Sequence, residues 1–259
     1  MNILERITQT KTAEVQAKKS LVSSSILEQS PLYDRSTFSV AQALKNSSSG
    51  IIAEHKRRSP SKAVINQSHQ LLNVINAYQE NGATAISVLT DTNYFGGSLE
   101  DLFLARSTAS IPLLRKDFVI DPYQITEAKA FGADFILLIA SILDKAQIQE
   151  FTAFAHELNL EVLLEVHSLE ELEASYIEDI DVVGVNNRNL KTFEVDLKTS
   201  FDIAKALDPN KVKISESGLS DTQSIINLKK AGYNGFLIGE TLMKTDKPGQ
   251  TLKQLIEQS

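Results

Sequence analysis

Three observations predict an α/β protein, a (β/α)8 TIM barrel with an N-terminal helical extension, for this 259-residue chain. After Gly50, short apolar runs alternate with helical stretches. Three segments, ENGATAISVL, AFGADFILLI and KAGYNGFLIG, each end a helix on glycine (Gly82, Gly132, Gly232) and begin a strand three residues later. Glycine at that position takes the left-handed conformation that stops a helix, and its spacings of 50 and 100 residues are multiples of about 25, one strand-plus-helix unit. Finally, the apolar runs lack polar alternation, as parallel strands buried on both faces do. Eight such units fill Ile51–Ser259, and a closed barrel is favoured over a doubly wound open sheet.

In chain order, residues 1–49 read as an extension packing on the barrel, and 50–259 as the barrel itself, a single catalytic domain. Ile3, Leu4 and Ile7 make a short helical stripe, followed by the polar, lysine-rich Lys11–Ser20. Ser23–Ser25 reads as a break, and Phe38–Leu44 as a second short helix capped by Ser36 or Thr37. The predicted strands are Ile51–Glu54, Ala85–Thr90, Ile111–Lys116, Phe135–Ile139, Glu161–Val166, Val182–Asn186, Lys211–Glu216 and Gly235–Gly239. The helices between and after them are Leu71–Asn81, Ser98–Ser107, Pro122–Phe131, Lys145–Leu158, Leu169–Ser175, Leu197–Leu207, Thr222–Ala231 and Thr251–Gln258. Two helix starts are well marked: Ser98 has Asp101 three residues on, and Asp121 precedes Pro122.

Composition narrows the partners. With a net charge of -7, the surface repels nucleic acid and anionic membranes, so an anionic substrate needs a local cationic patch. With no cysteine there is no disulfide, thiol nucleophile or thiolate metal site, which fits the cytoplasm. Met1–Thr10 has no apolar core of a signal peptide, and the longest apolar run, Phe135–Ala140, is far too short to span a bilayer. The four histidines show no HxxH or HExxH spacing, so no metal ion is expected. There is no GxSxG elbow, and Gly96–Gly97 is too short for a P-loop.

Chemistry concentrates where the strands end. In IIAEHKRRSPSK the alternation of a strand puts Ile52, Glu54 and Lys56 on one face, just where the chain breaks before Pro60. Alone, that pair reads equally well as a rim salt bridge. The other strand ends carry Ser87, Lys116, Glu165, Asn186 with Arg188, and Glu216 with Ser217. Active sites of such barrels form at this face, and so many charged groups at one rim exceed what chance surface pairs supply. ISESG and LIGET, ending the last two strands, set glycines where backbone N–H groups approach an anion, the usual phosphate grip of the fold.

These motifs, with SVLTDTNYFGGSLEDL, PLLRKDFVIDPYQ, LLEVHSLEEL, GVNNRNLKTFEVD and FLIGETLM, resemble the indole-3-glycerol phosphate synthase family of tryptophan biosynthesis over nearly the whole chain. The resemblance implies ring closure of 1-(2-carboxyphenylamino)-1-deoxyribulose 5-phosphate with loss of carbon dioxide and water, without a metal or organic cofactor. It implies Lys116 as general acid at the ribulose carbonyl, and Glu165 and Lys56 as the dehydration pair. Glu54 would orient Lys56 or act as base, and Asn186 and Glu216 complete the catalytic set. Ser59, Pro60, Ser87, Leu89, Phe95, Phe118, Leu138, Arg188 and Leu190 are the implied substrate contacts, the aryl ring lying in the apolar part. Lys56, Ser217, Gly218, Ile238, Gly239 and Glu240 are the implied phosphate contacts. Because a carboxylate repels phosphate, the Glu240 side chain is expected to turn away and its backbone N–H to bind. A cytoplasmic enzyme, monomeric or weakly dimeric, is expected.

Three other functions are compatible with parts of this pattern. Phosphoribosylanthranilate isomerase, a similar phosphate barrel, relies on a catalytic cysteine, which this chain lacks. A Schiff-base aldolase could use Lys116 or Lys56, and borohydride would trap its adduct. A phosphometabolite-binding scaffold would be expected to have lost Lys56, Lys116 or Glu165, and all three are present.

Overall fold

The computed structural model describes residues 2–190 and 192–259, so Lys191 of the GVNNRNLKTFEVD motif lies outside the described residues. Eight strands pair in parallel, each with the next, and the eighth with the first, to close a barrel. They are β1 (Ile51–His55), β2 (Ala85–Leu89), β3 (Leu113–Lys116), β4 (Phe135–Ile139), β5 (Glu161–Val166), β6 (Val182–Asn186), β7 (Lys213–Glu216) and β8 (Gly235–Ile238). β3 starts two residues later than predicted, after Pro112, which has no N–H for the ladder. Side chains alternate across the wall. Ile52, Ala85, Leu114, Phe135, Leu137, Leu163, Ile214 and Leu237 fill the interior. Ala53, Ile86, Leu113, Ile136, Leu138, Leu164 and Phe236 pack outward against the helices.

Around the barrel run α4 (Leu71–Glu80), α6 (Leu99–Thr108), α7 (Pro122–Ala130), α8 (Lys145–Glu157), α9 (Leu169–Ser175), α10 (Lys198–Ala206), α11 (Thr222–Lys230) and α13 (Pro248–Glu257), with short α5 (Thr92–Phe95) and α12 (Glu240–Met243) in the loops after β2 and β8. Ser98 and Asp121 cap α6 and α7 by accepting from Asp101 and Tyr123 backbone N–H groups. Gly82, Gly132 and Gly232, which follow the last residues of α4, α7 and α11, have φ of 90°, 90° and 92°. α5 and α12 escaped the sequence pattern because one turn shows no periodicity. Among the described residues no helix is long and apolar enough to cross a membrane.

The N-terminal segment departs most from expectation. Where a short stripe and a polar stretch were expected, one 19-residue helix runs, α1 (Ile3–Leu21). Its buried side continues from Ile7 through Lys11 to Val15, four-residue steps along one face. A single turn, α2 (Ser24–Leu27), follows. The next helix, α3 (Val40–Asn46), is capped by Ser39, whose hydroxyl accepts from the Gln42 N–H, and not by Ser36 or Thr37. Thr37 instead donates to the Asn159 carbonyl at 2.7 Å. The segment thus reaches both ends of the barrel. Val40 and Leu44 join the interior cluster beneath β1 and β8, while Ile3, Leu4 and Ile7 line the cavity at the opposite mouth. Between them, Arg35 pairs with Asp134 at 2.8 Å and Lys19 with Asp121 at 2.9 Å.

Candidate active site at the barrel mouth

The strands end in a cavity of about 330 Å³ that reaches Glu54, Lys56, Lys116, Glu165, Asn186, Arg188 and Glu216 together. β1 delivers Glu54 on its inward face, and Lys56 one residue past the strand returns its ammonium to Glu54 Oε1 at 2.7 Å. β3 ends on Lys116, whose Nζ lies 2.8 Å from Glu165 Oε2 on β5 and 2.8 Å from Glu216 Oε2 on β7. One ammonium therefore serves two carboxylates, both almost fully buried.

That arrangement separates the two acids. Burial raises the Glu165 pKa, but the Lys116 ammonium, which also donates a hydrogen bond, and the nearby His167 more than reverse this and hold it well below the carboxylate range. Glu216 is pushed up to about 7 by burial, opposed by Lys116 and reinforced by Glu165 and Glu54. Burial alone would lower the Lys116 pKa, but the charges of Glu165, Glu216 and Glu54 lift it above the usual lysine value. The site at neutral pH thus holds a fixed cation, a fixed anion and a carboxyl near its midpoint, which is the make-up of an acid–base pair.

The apolar side is built from loops. Phe95, on α5, and Phe118, two residues past β3, set their rings 6.0 Å apart at 39°. Pro60, Leu89 and Leu190 line the same cavity, with Ser59 at its edge. Opposite them, Ser217 and Gly218 take successive left-handed conformations, φ 65° and 77°, a backbone nest of the kind that turns N–H groups toward an anion. Ile238, Gly239 and Glu240 adjoin it. A Cβ on Gly239 would stand 2.5 Å from Glu54 Oε1, so a side chain there would have to displace the Glu54 carboxylate. The Glu240 carboxylate is engaged by Lys62 at 3.0 Å.

Two expected contacts are corrected. Ser87 faces inward but one layer too deep: it is wholly buried, outside the cavity lining, and its hydroxyl donates to Glu54 Oε2 at 3.4 Å. Leu138 points outward into the helix layer, and its neighbours Leu137 and Ile139 line the cavity. The strand FILLI is apolar on both faces, so it carries no alternation from which to read the phase.

Two residues escaped sequence reasoning. Lys11, 1% exposed, lies 2.9 Å from Glu14, 3.1 Å from Asp91 and 3.0 Å from Asp117. Asp91 caps α5, which carries Phe95, and Asp117 stands between Lys116 and Phe118. One amine therefore pins α1 to both loops that bear the aromatic pair. His167, set aside as a non-ligand, lies with Nε2 3.4 Å from Glu165 Oε1. Its place directly after β5 was the available signal. The loop after β1 is tied as well: Arg57 pairs with Asp101, and Arg58 donates to the Thr92 and Asn93 carbonyls.

Known proteins resemble this chain over nearly its whole length. A family model described as "Indole-3-glycerol phosphate synthase" matches residues 4–255. A protein of that name from Bacteroides thetaiotaomicron is 47% identical over 257 residues, covering 99% of this chain and 98% of its own. Another, from Salinibacter ruber, is 45% identical over 98% of this chain and 95% of its own. Among solved structures, a thiamine phosphate pyrophosphorylase from Pyrococcus furiosus superposes with a TM-score of 0.59 at 16% identity, over 85% of this chain and 98% of its own. A tryptophan synthase α-subunit from the same organism gives 0.59 at 20%, over 81% and 96%. These two show the shared fold alone.

Proposed function

Because the chain belongs to the indole-3-glycerol phosphate synthase family, we propose that its barrel mouth performs that family's ring closure with Lys116 as general acid. The chain is a carbon–carbon lyase. It converts 1-(2-carboxyphenylamino)-1-deoxyribulose 5-phosphate to indole-3-glycerol phosphate, releasing carbon dioxide and water. The observation that carries the assignment is Lys116 held between Glu165 and Glu216 at the edge of an aromatic-lined cavity.

The steps follow from the positions. The nest at Ser217–Gly218 and the backbone of Gly239 and Glu240 take the phosphate. Phe95, Phe118, Leu137 and Leu190 hold the aryl ring, while Arg188 and Asn186 face its carboxylate and the sugar hydroxyls. Holding ring carbon and carbonyl together supplies much of the catalysis, since oriented reactants gain several kcal/mol. As the ring carbon attacks, Lys116 donates its proton to the carbonyl oxygen, and Glu165 and Glu216 re-aim the amine. Departure of carbon dioxide returns its bonding electrons to the ring. Dehydration then needs an acid for the leaving hydroxyl and a base for a ring proton. Lys56, positioned by Glu54, is the acid and ionised Glu165 the base. The enzyme acts on this small phosphorylated molecule in the cytoplasm, as a monomer or weak homodimer, and its acidic surface supports neither a nucleic-acid nor a membrane partner.

The test is direct. The chain has no tryptophan, so indole fluorescence from product rises over tyrosine background alone. Incubation with the carboxyphenylamino-deoxyribulose phosphate should yield that signal with release of carbon dioxide. Absence of product, or a borohydride-trapped adduct on Lys116 or Lys56, would overturn the assignment.

A further inference from the structure

His167 is the first residue after β5, and its ring is fixed from behind by α9. Glu171 Oε2 accepts from the His167 backbone N–H at 2.8 Å and lies 3.1 Å from its Nδ1. The Glu171 backbone N–H is in turn held by the Ser168 hydroxyl at 3.2 Å. With Nδ1–H spent on Glu171, Nε2 is turned to Glu165, 3.4 Å from its Oε1. Glu165 Oε2 faces the other way, to Lys116 at 2.8 Å. The result is one chain of groups, Glu171–His167–Glu165–Lys116, in which each oxygen of Glu165 meets its own cation.

We infer that His167, braced by Glu171, is a positioning residue that keeps Glu165 ionised and oriented for proton abstraction. This rests on the ring-closure reading above. Without His167, Oε1 of a buried carboxylate would lose the cation beside it, and Glu165 could rotate off Lys116 or take up a proton. The charged groups facing the imidazole are Glu165 from β5 and Glu171 from α9, with Lys116 beyond Glu165. Burial disfavours a charged ring, but the two carboxylates beside it, Glu165 and Glu171, raise its pKa to about 10, so the ring carries its positive charge through the working pH range. A carboxylate orienting an imidazole is a recurring device of catalytic sites. Here the imidazole serves a second carboxylate rather than a nucleophile.

The experiment compares wild type, His167→Gln and Glu171→Gln by initial rates against pH, with melting temperature measured alongside. In the substituted enzymes kcat should fall about tenfold, with KM within about twofold. The acid limb of the kcat profile, which belongs to Glu165 and Glu216 together because they share Lys116, should move to higher pH by about half a unit or more as that group loses a neighbouring cation or its brace. Glu171→Gln should move both readouts less, the imidazole being retained. An unmoved acid limb in His167→Gln overturns the inference, whether activity is kept or falls with the melting temperature. Wild type failing to form product would instead strike the ring-closure reading itself.

Discussion

Glu216 folds over the place where Gly184 has no side chain: a Cβ on that glycine would lie 2.5 Å from Glu216 Oε1. The same Cβ would lie 3.0 Å from Leu163 Cδ1, so it is crowded from a second side as well. Gly184 is on β6, one inward step below Asn186, which the register sets beside Glu216. Gly184→Ala should push the carboxylate off Lys116 while β6 stays in the wall. We expect kcat to fall about a hundredfold and KM to change little. The fluorescence assay would check this, and near-normal kcat would show that the position of Glu216 is not critical.

Lys116→Ala should abolish ring closure, lowering turnover by about 10²–10⁴, the range of a general acid. Phosphate affinity should be largely intact, because the Ser217–Gly218 nest and Gly239 come from β7 and β8. Competition by inorganic phosphate against a fluorescent ligand measures that second half. Near-normal turnover would remove Lys116 from the mechanism.

Lys11→Met should cost stability out of proportion to its size. Asp91 and Asp117 are almost fully buried and would lose their shared cation, which leaves Asp117 with Arg115 at 3.1 Å and Asp91 without a charged partner among the described residues. Breaking a buried pair this way costs about 3–5 kcal/mol. Urea unfolding should show that loss, and adding Asp117→Asn to Lys11→Met should recover part of it. KM should rise with it, as α5 and the loop after β3 lose their common anchor.

His55 predicts an acid sensitivity unrelated to catalysis. Its ring, 2% exposed on the outer face of β1, has its pKa pushed down to about 4, first by burial and then by the charge of Arg57. Below pH 6.5 the unfolded chain takes up a proton that the native ring refuses. Stability contributed by this residue is therefore complete above that pH and falls between 6.5 and 4. The loss is on the order of 3 kcal/mol. Urea midpoints from pH 7.5 to 4 should decline less in His55→Leu than in wild type, and equal slopes would refute it.

Much of this was legible beforehand, for identifiable reasons. Strands buried on both faces read as apolar runs, and glycines with left-handed φ marked the helix ends, so β4, β5 and β6 were bounded to the residue. Glu54, Lys116, Glu165 and Glu216 stood out because a charge is unexpected at the end of such a run. What escaped was decided by distant partners. Lys11 looks like any lysine in a polar stretch until β2 and β3 bring Asp91 and Asp117 to it. Leu138 was misjudged because the phase of β4 is set by pairing with β5, not by its own composition. Ser87 had the right face, but its depth depends on barrel stagger.

The anchoring of α1 has a consequence for biosynthesis. During translation α1 leaves the ribosome before any strand exists, and both buried carboxylates that fasten Lys11 are made much later, after β2 and after β3. This wall of the reaction chamber is made before the barrel strands and can be fastened only once β3 is finished. Until then it must wait in water, and a helix carrying Lys11, Lys18 and Lys19 among few apolar residues is suited to that delay.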